Sequence, residues 1–175
     1  MNNNTIDTSD KLSFEPKMTI PDAAKFLDIS IQAVHKQLKS KDIICPKISN
    51  KSYINYAIAK QLFKLQFNPK VIVCQIVKGG TGKTTTIENI ASCANTYGAR
   101  VLKIDADPQG NLTDASGVDP DNIPVLIDVI NGEAEIKDSI VHISEGIDLI
   151  PSRIENVILD NIIVNNRLPL HTLYS

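Results

Sequence analysis

The residues whose types and spacing point to the most specific chemistry are Lys78, Gly79, Gly80, Thr81, Gly82, Lys83, Thr84 and Thr85. A chain of phosphates is held by many backbone N–H groups turned toward it, and glycines allow the backbone to curl and come close. A helix beginning just after such a loop adds free N–H groups and a partial positive charge. In this pattern Lys83 supplies a full charge to the β- and γ-phosphates, and the Thr84 hydroxyl is placed on Mg²⁺. A second group of candidates, Asp105-Ala-Asp-Pro-Gln-Gly-Asn111, carries carboxylates at Asp105 and Asp107. Mg²⁺ favours carboxylates at strand ends while retaining water. Taken alone, Asp-x-Asp is equally compatible with a polar turn.

These residues need elements to hold them. Val71 to Ile76 is a β-branched run that suits a buried parallel strand. The glycine loop follows, then a predicted helix from about Lys83 to Tyr97, ended by Gly98. Val101 to Ile104 is a second predicted strand, so strand, helix and strand form a βαβ unit and imply an α/β sheet. Ile123 to Asn131 reads as a helix ended by Gly132, and Ile147 to Ile150 as a third strand stopped by Pro151. Ile154 to Val164 is apolar at helical spacing.

The loop departs from a standard P-loop in having Val77 where glycine is usual and Lys78 beside it. It resembles the deviant Walker A signature, Lys-Gly-Gly-x-Gly-Lys-Thr-Thr, of the ParA/MinD superfamily. Asp105 to Asn111 matches that family's switch I segment position for position, and Asn89 matches a position in the P-loop helix. Asp128-Val-Ile-Asn-Gly-Glu133 and Asp148-Leu-Ile-Pro-Ser152 are similar to later ParA segments, so the resemblance runs through nearly all of residues 71–152. It implies ATP and Mg²⁺ as cofactors and a nucleotide-sandwich homodimer. Lys78 reaches across that dimer to the partner's phosphates and acts like an arginine finger on charge developing in phosphoryl transfer. It further implies that Asp107 orients the attacking water and that Asp105 supports the metal and its waters. Other implied partners are a ParB-type protein that stimulates hydrolysis and DNA bound non-specifically.

The N-terminal third has a different pattern. Thr19 caps a predicted helix with Pro21 in its first turn, and Ile20, Ala23, Ala24 and Leu27 form its apolar face. After the break at Asp28-Ile29, Ser30 caps a second helix running to about Lys39. Val34 and Leu38 turn inward, leaving Ile31, Gln32, His35, Lys36 and Lys39 outward. Ile43 to Ile54, with Pro46 and the pair Asn50-Lys51, suits a hairpin or wing, and Ala57 to Phe63 returns to helix. Over residues 18–64 this is similar to MerR-like and ParA-associated winged helix-turn-helix domains. The resemblance implies operator DNA as a partner, the second helix in the major groove, Gln32 on an adenine edge, and Lys36 and Lys39 on phosphates. Two short helices joined by a turn also occur in bundles that bind nothing.

Charge follows the same division. Residues 1–70 hold eleven lysines against six acidic residues, whereas residues 71–175 hold seven basic against fourteen acidic ones. Such asymmetry points to two modules with different partners. The expected organisation is a disordered tail at 1–17, a small mainly-α winged helix-turn-helix domain at 18–66, a linker around Asn68-Pro69, and at 71–175 the N-terminal half of a parallel-sheet P-loop NTPase domain. Met1 to Asp10 is polar and lacks the apolar core of a signal peptide, and no apolar run is long enough to cross a bilayer. The expected location is therefore cytoplasmic and nucleoid-associated, with no membrane partner. Cys45, Cys74 and Cys93 have no metal-type spacing and are expected to be reduced thiols.

The resemblance implies a further feature, a Walker B strand ending in Asp several tens of residues beyond Asp-Leu-Ile-Pro-Ser. Nothing after Ser152 fits it, because Glu155 and Asp160 fall inside a predicted helix. A truncated form with poor turnover is the resulting expectation, with Val71–Ile76 short of a ladder partner and the faces of the next strands partly exposed. The rival to a partition ATPase that represses its own operator is a DNA-binding regulator that senses nucleotide without hydrolysing it. A MinD-like membrane cycle is weaker, since the sequence shows no amphipathic membrane helix.

Overall fold

Residues 15–75 and 80–158 are described by a computed structural model of the chain. The chain divides into two units, one running through Val101 with Ser144–Ile147 added, the other holding Leu102–Ile143 and the residues from Asp148 onward.

In the first unit, β1 (Lys17–Thr19) leads directly into α1 (Ile20–Leu27). The Thr19 hydroxyl accepts a hydrogen bond from the Asp22 N–H at 3.3 Å, and the Asp22 carboxylate accepts one from the Thr19 N–H, a reciprocal cap that fixes the helix start. Asp28, left-handed at φ 53°, closes α1 and turns the chain into α2 (Ile31–Ser40). The Ser30 hydroxyl caps α2 by accepting from the Ala33 N–H at 3.2 Å. A hairpin of β2 (Lys47–Ile48) and β3 (Lys51–Asn55) follows, and β3 also pairs antiparallel with β1, giving the order β1-β3-β2. The hairpin turn is Ser49-Asn50, one residue earlier than the sequence pattern predicts. Both residues have positive φ, which a tight two-residue hairpin requires and which asparagine tolerates.

The chain then enters α3 (Tyr56–Phe63), capped by the Asn55 side chain. Met18, Ile20, Ala23, Ala24, Val34, Leu38, Ile54, Ile58, Ala59, Leu62 and Phe63 form one continuous buried cluster, with Tyr97 packed against it. Tyr97 sits at the end of α4 (Lys83–Thr96), with its ring 4.7 Å from that of Phe26. Gly98, at φ +89°, lets the chain pass α3 so closely that a Cβ would stand 2.9 Å from the Lys60 nitrogen.

The run from Val71 departs from expectation. Residues 71–75 form no strand, and Val71 and Val73 are exposed by 91% and 78%. No strand among the described residues pairs with them. A β-branched sequence is a good fit to a pleated, half-buried surface, and its preference is expressed only when such a surface is present.

The remaining strands are β4 (Val101–Ile104), β5 (Val141–Ser144) and β6 (Ile147–Ile150), in the order β4-β6-β5. The Val101 N–H bonds the Gly146 carbonyl and the Asp105 N–H bonds the Ile150 carbonyl, so the two chains advance together and β4 runs parallel to β6. β5 was not anticipated from the sequence. It joins β6 through Glu145-Gly146 and is therefore antiparallel to it. The architecture is mixed α/β, as expected. Between β4 and β5 lie α5 (Asn111–Ala115), α6 (Leu126–Ile130) and a 3₁₀ turn at Ile136–Ser139.

The helix predicted from Ile123 begins only at Leu126, because Pro124 disfavours helical backbone before it and Val125 is extended. Asp128 then caps the helix by accepting from the Val125 N–H at 2.8 Å. The apolar run from Ile154 forms a 3₁₀ helix over Ile154–Ile158 instead of an α-helix, and its continuation to Val164 lies outside the described residues. Among the described residues no helix is long and apolar enough to cross a membrane.

Candidate nucleotide-binding site

The glycine loop opens directly into α4. Gly80 and Gly82 have φ of +72° and +81°, in the left-handed region, and a Cβ at either would meet nothing within 4 Å. Glycine is thus required there by backbone conformation, with open space in front of it. Gly82 is the N-cap, and among the described residues no side chain caps α4. Its first hydrogen bond runs from the Thr86 N–H to the Gly82 carbonyl at 2.8 Å. The N–H groups of Lys83, Thr84 and Thr85 belong to the first turn, where a helix offers them no internal acceptor. Lys83 and Thr84 are half-buried, whereas Thr81, Thr85 and Asn89 are exposed. An uncapped helix start preceded by left-handed glycines fits an anion of phosphate type. Lys78 and Gly79 lie outside the described residues.

The acidic segment belongs to the second unit, and β4 carries it. Asp105 is 4% exposed. Its Oδ2 accepts from the Thr113 N–H at 2.9 Å and from the Thr113 hydroxyl at 2.8 Å, and its Oδ1 accepts from the Asp107 N–H at 3.2 Å. Asp107 is half-buried, and its Oδ1 accepts from the Gln109 N–H at 3.0 Å. The Gly110 N–H returns to the Asp107 carbonyl at 2.9 Å, so Asp107 to Gly110 is a tight turn that delivers the chain into α5. Two anchors hold α5 in place, namely Thr113 on Asp105 and the buried Lys103, whose Nζ donates to the Ser116 hydroxyl at 2.6 Å.

Beyond β6, Arg153 donates to the Ile123 carbonyl at 2.9 Å and pairs with Asp128 at 2.8 Å, fastening the segment before α6. Thr113 and Asn156 were not singled out from the sequence. Only the regular spacing after Asp105 offered a hint, and a threonine three residues past Gly110 reads as an ordinary helix residue.

The expected DNA-facing residues lie in the first unit on α2. Ile31, Gln32, His35, Lys36 and Lys39 are exposed, while Val34 and Leu38 are buried.

A family model described as an AAA domain, AAA_31, matches residues 69–172. The chain belongs to the AAA_31 family. Curated relatives include proteins named as ParA family or ParA partitioning proteins. The sporulation initiation inhibitor protein Soj of Bacillus subtilis is 38% identical over 88 residues, covering 49% of this chain and 35% of Soj. The chromosome partitioning protein ParA of Caulobacter vibrioides is 42% identical over 88 residues, covering 49% of this chain and 33% of that protein. The matched part of the chain thus spans about a third of the length of these relatives. Among solved structures, a cobyrinic acid a,c-diamide synthase from Mycobacterium smegmatis with bound ATP analog and magnesium is 39% identical. It covers 50% of this chain and 36% of its own, with a TM-score of 0.46.

Proposed function

We propose that the chain is an ATP-binding partition protein of ParA type, carrying DNA-binding elements ahead of its P-loop. The observation that carries this reading is the uncapped start of α4 behind left-handed Gly80 and Gly82, with Lys83 and Thr84 as its first residues. In this reading the backbone N–H groups of Gly80 to Thr85 and the Lys83 ammonium bind the ATP phosphates. The Thr84 hydroxyl would in this reading hold Mg²⁺, Asp105 would support the metal's waters and Asp107 would orient the attacking water. Mg²⁺ held there would supply charge neutralisation at the phosphate oxygens. Lys78 acts across an ATP-bound homodimer on the partner's phosphates.

The N-terminal elements support the DNA part of the reading. A capped helix pair, a two-stranded wing and a lysine-rich composition form a winged helix-turn-helix pattern, with α2 presenting Gln32, His35, Lys36 and Lys39 to operator DNA. Non-specific DNA and a ParB-type protein complete the proposed partners, and the proposed place of action is the nucleoid. Val71, Ile72 and Val73, exposed and paired with no strand among the described residues, favour a second reading, in which the chain senses nucleotide and regulates DNA without turning nucleotide over.

Lys83→Ala tests the shared core of both readings. Calorimetry should detect binding of ATP–Mg²⁺ by the parent chain and none by the variant, while the helical signal of the N-terminal elements is unchanged. Equal affinity in the two proteins would refute the P-loop assignment. Hydrolysis stimulated by a ParB-type protein then separates the first reading from the second.

A further inference from the structure

Among the described residues, the groups around Asp105 continue into a chain of buried polar contacts. Thr113, fully buried, gives both its N–H and its hydroxyl proton to Asp105 Oδ2. Having donated its proton, the Thr113 oxygen accepts from the Ser152 N–H at 2.9 Å. Ser152, 1% exposed, accepts through its own hydroxyl from the Asn156 amide at 2.8 Å. Asn156, 2% exposed, accepts with Oδ1 from the Ile127 N–H at 3.2 Å, in the first turn of α6. Gly110 allows the close approach, since a Cβ there would stand 3.3 Å from the Ser152 carbonyl.

The direction of each bond follows from chemistry. A backbone N–H can only donate, so the Ser152 N–H obliges the Thr113 oxygen to accept, and the Thr113 proton is left for the carboxylate. An ionised carboxylate only accepts, and it takes these donors without competition from water. Valine at 113 would keep the shape and the backbone N–H. It would leave the Ser152 N–H without its acceptor and Asp105 Oδ2 short of one donor.

We infer that Thr113 is a positioning residue for Asp105, and that the relay Asp105–Thr113–Ser152–Asn156 sets the carboxylate's orientation toward the metal of a bound nucleotide. The metal part of this inference rests on the ATP–Mg²⁺ reading above. The relay ties two segments, Asp105 to Asn111 and Asp148 to Ser152, into one device. A shift of β6 or α6 reaches Asp105 through hydrogen bonds of fixed direction.

The test uses the full 175-residue chain with two readouts. The first is amide hydrogen exchange at Ser152 and Thr113. The second is the Mg²⁺ concentration giving half-maximal binding of a fluorescent N-methylanthraniloyl-ATP, with binding in EDTA measured alongside. Thr113→Val should speed Ser152 exchange at least tenfold and raise the required Mg²⁺ by roughly tenfold, about 1.4 kcal/mol, while binding in EDTA matches the parent. Thr113→Ser, which retains the hydroxyl, should restore both readouts. Unchanged Mg²⁺ dependence in Thr113→Val, against a clear dependence in the parent, would overturn the positioning role alone. A parent chain whose binding ignores Mg²⁺ would overturn both the inference and the reading beneath it.

Discussion

Two regions of this chain are held together by different physics. Residues 17–63 surround one continuous apolar cluster, in which Ala23, Val34, Ile54 and Ala59 are entirely buried. Among the described residues, 102–158 bury Leu149, Ile150 and the pair Val125 and Ile127, but they also bury polar Thr113, Ser139, Ser152 and Asn156. Apolar burial is non-directional and tolerant of repacking, so the first region can keep its fold while its exposed face varies. A buried polar network is directional, and losing one member leaves another unpaired in a low-dielectric interior. The contrast therefore predicts where substitutions act. In the first region buried residues govern stability and exposed ones govern partners. In the second, a single buried residue governs both stability and the setting of Asp105.

The largest expected effect tests the apolar half of that contrast. Ile54→Ala removes a fully buried side chain of β3, the middle strand of the N-terminal sheet, and should cost about 2–5 kcal/mol in denaturant unfolding of the N-terminal elements. A cost below about 1 kcal/mol would mean that this cluster is not what holds the region. The next effect concerns the exposed face. Gln32→Ala should weaken sequence preference in DNA binding by roughly 1–3 kcal/mol at one base pair. Lys36→Ala should weaken all sequences alike and lower the salt dependence of binding. Neither should move the unfolding midpoint measurably, and a chain with no affinity for DNA at low salt would reduce α2 to a packing element.

The smallest effect is one of pH. The Thr19 hydroxyl, followed by its backbone N–H, holds the Asp22 carboxylate below its ordinary value. A carboxyl group with a lowered folded pKa binds protons less readily when folded. Its stabilising contribution is therefore present above the unfolded value of 3.8 and fades as pH falls through the folded one. Asp22→Asn should flatten the acid side of the stability profile below about pH 5, where the unfolded carboxyl begins to take up protons. An unchanged profile would show that the cap does not distinguish the charged acid from its amide.

Burial acts in the opposite sense on Cys45, pushing its thiol up and keeping it protonated, as suits one of three free cysteines.

Much of the local structure was legible because it depends on nearby residues. Thr19 and Ser30 mark helix starts by accepting from N–H groups three residues on, Pro21 by its fixed φ in the first turn, and the structure has both helices there. Gly82-Lys83-Thr84 marks the start of α4 for a different local reason, a left-handed glycine directly before the first helical residue. The type of the site was legible too, since a phosphate loop is defined by contiguous residues. The misses are those that need a distant partner. Val71 to Gln75 has strand residues but no neighbouring ladder, and β-pairing is a property of two segments. β5 has a modest pattern that becomes a strand beside β6.

The sequence by itself determined the glycine loop, the lysine and threonine behind it, the carboxylates after β4, and the alternation of exposed and buried residues on α2. Each follows from steric preference or periodicity within a few residues. Only the tertiary structure decided that Asp105 is buried against Thr113, that Ser152 completes the contact across 39 residues of chain, and that Asn156 carries it on to α6. Hydrogen bonds of that kind depend on which loops are brought side by side in three dimensions, and no spacing along the chain encodes them.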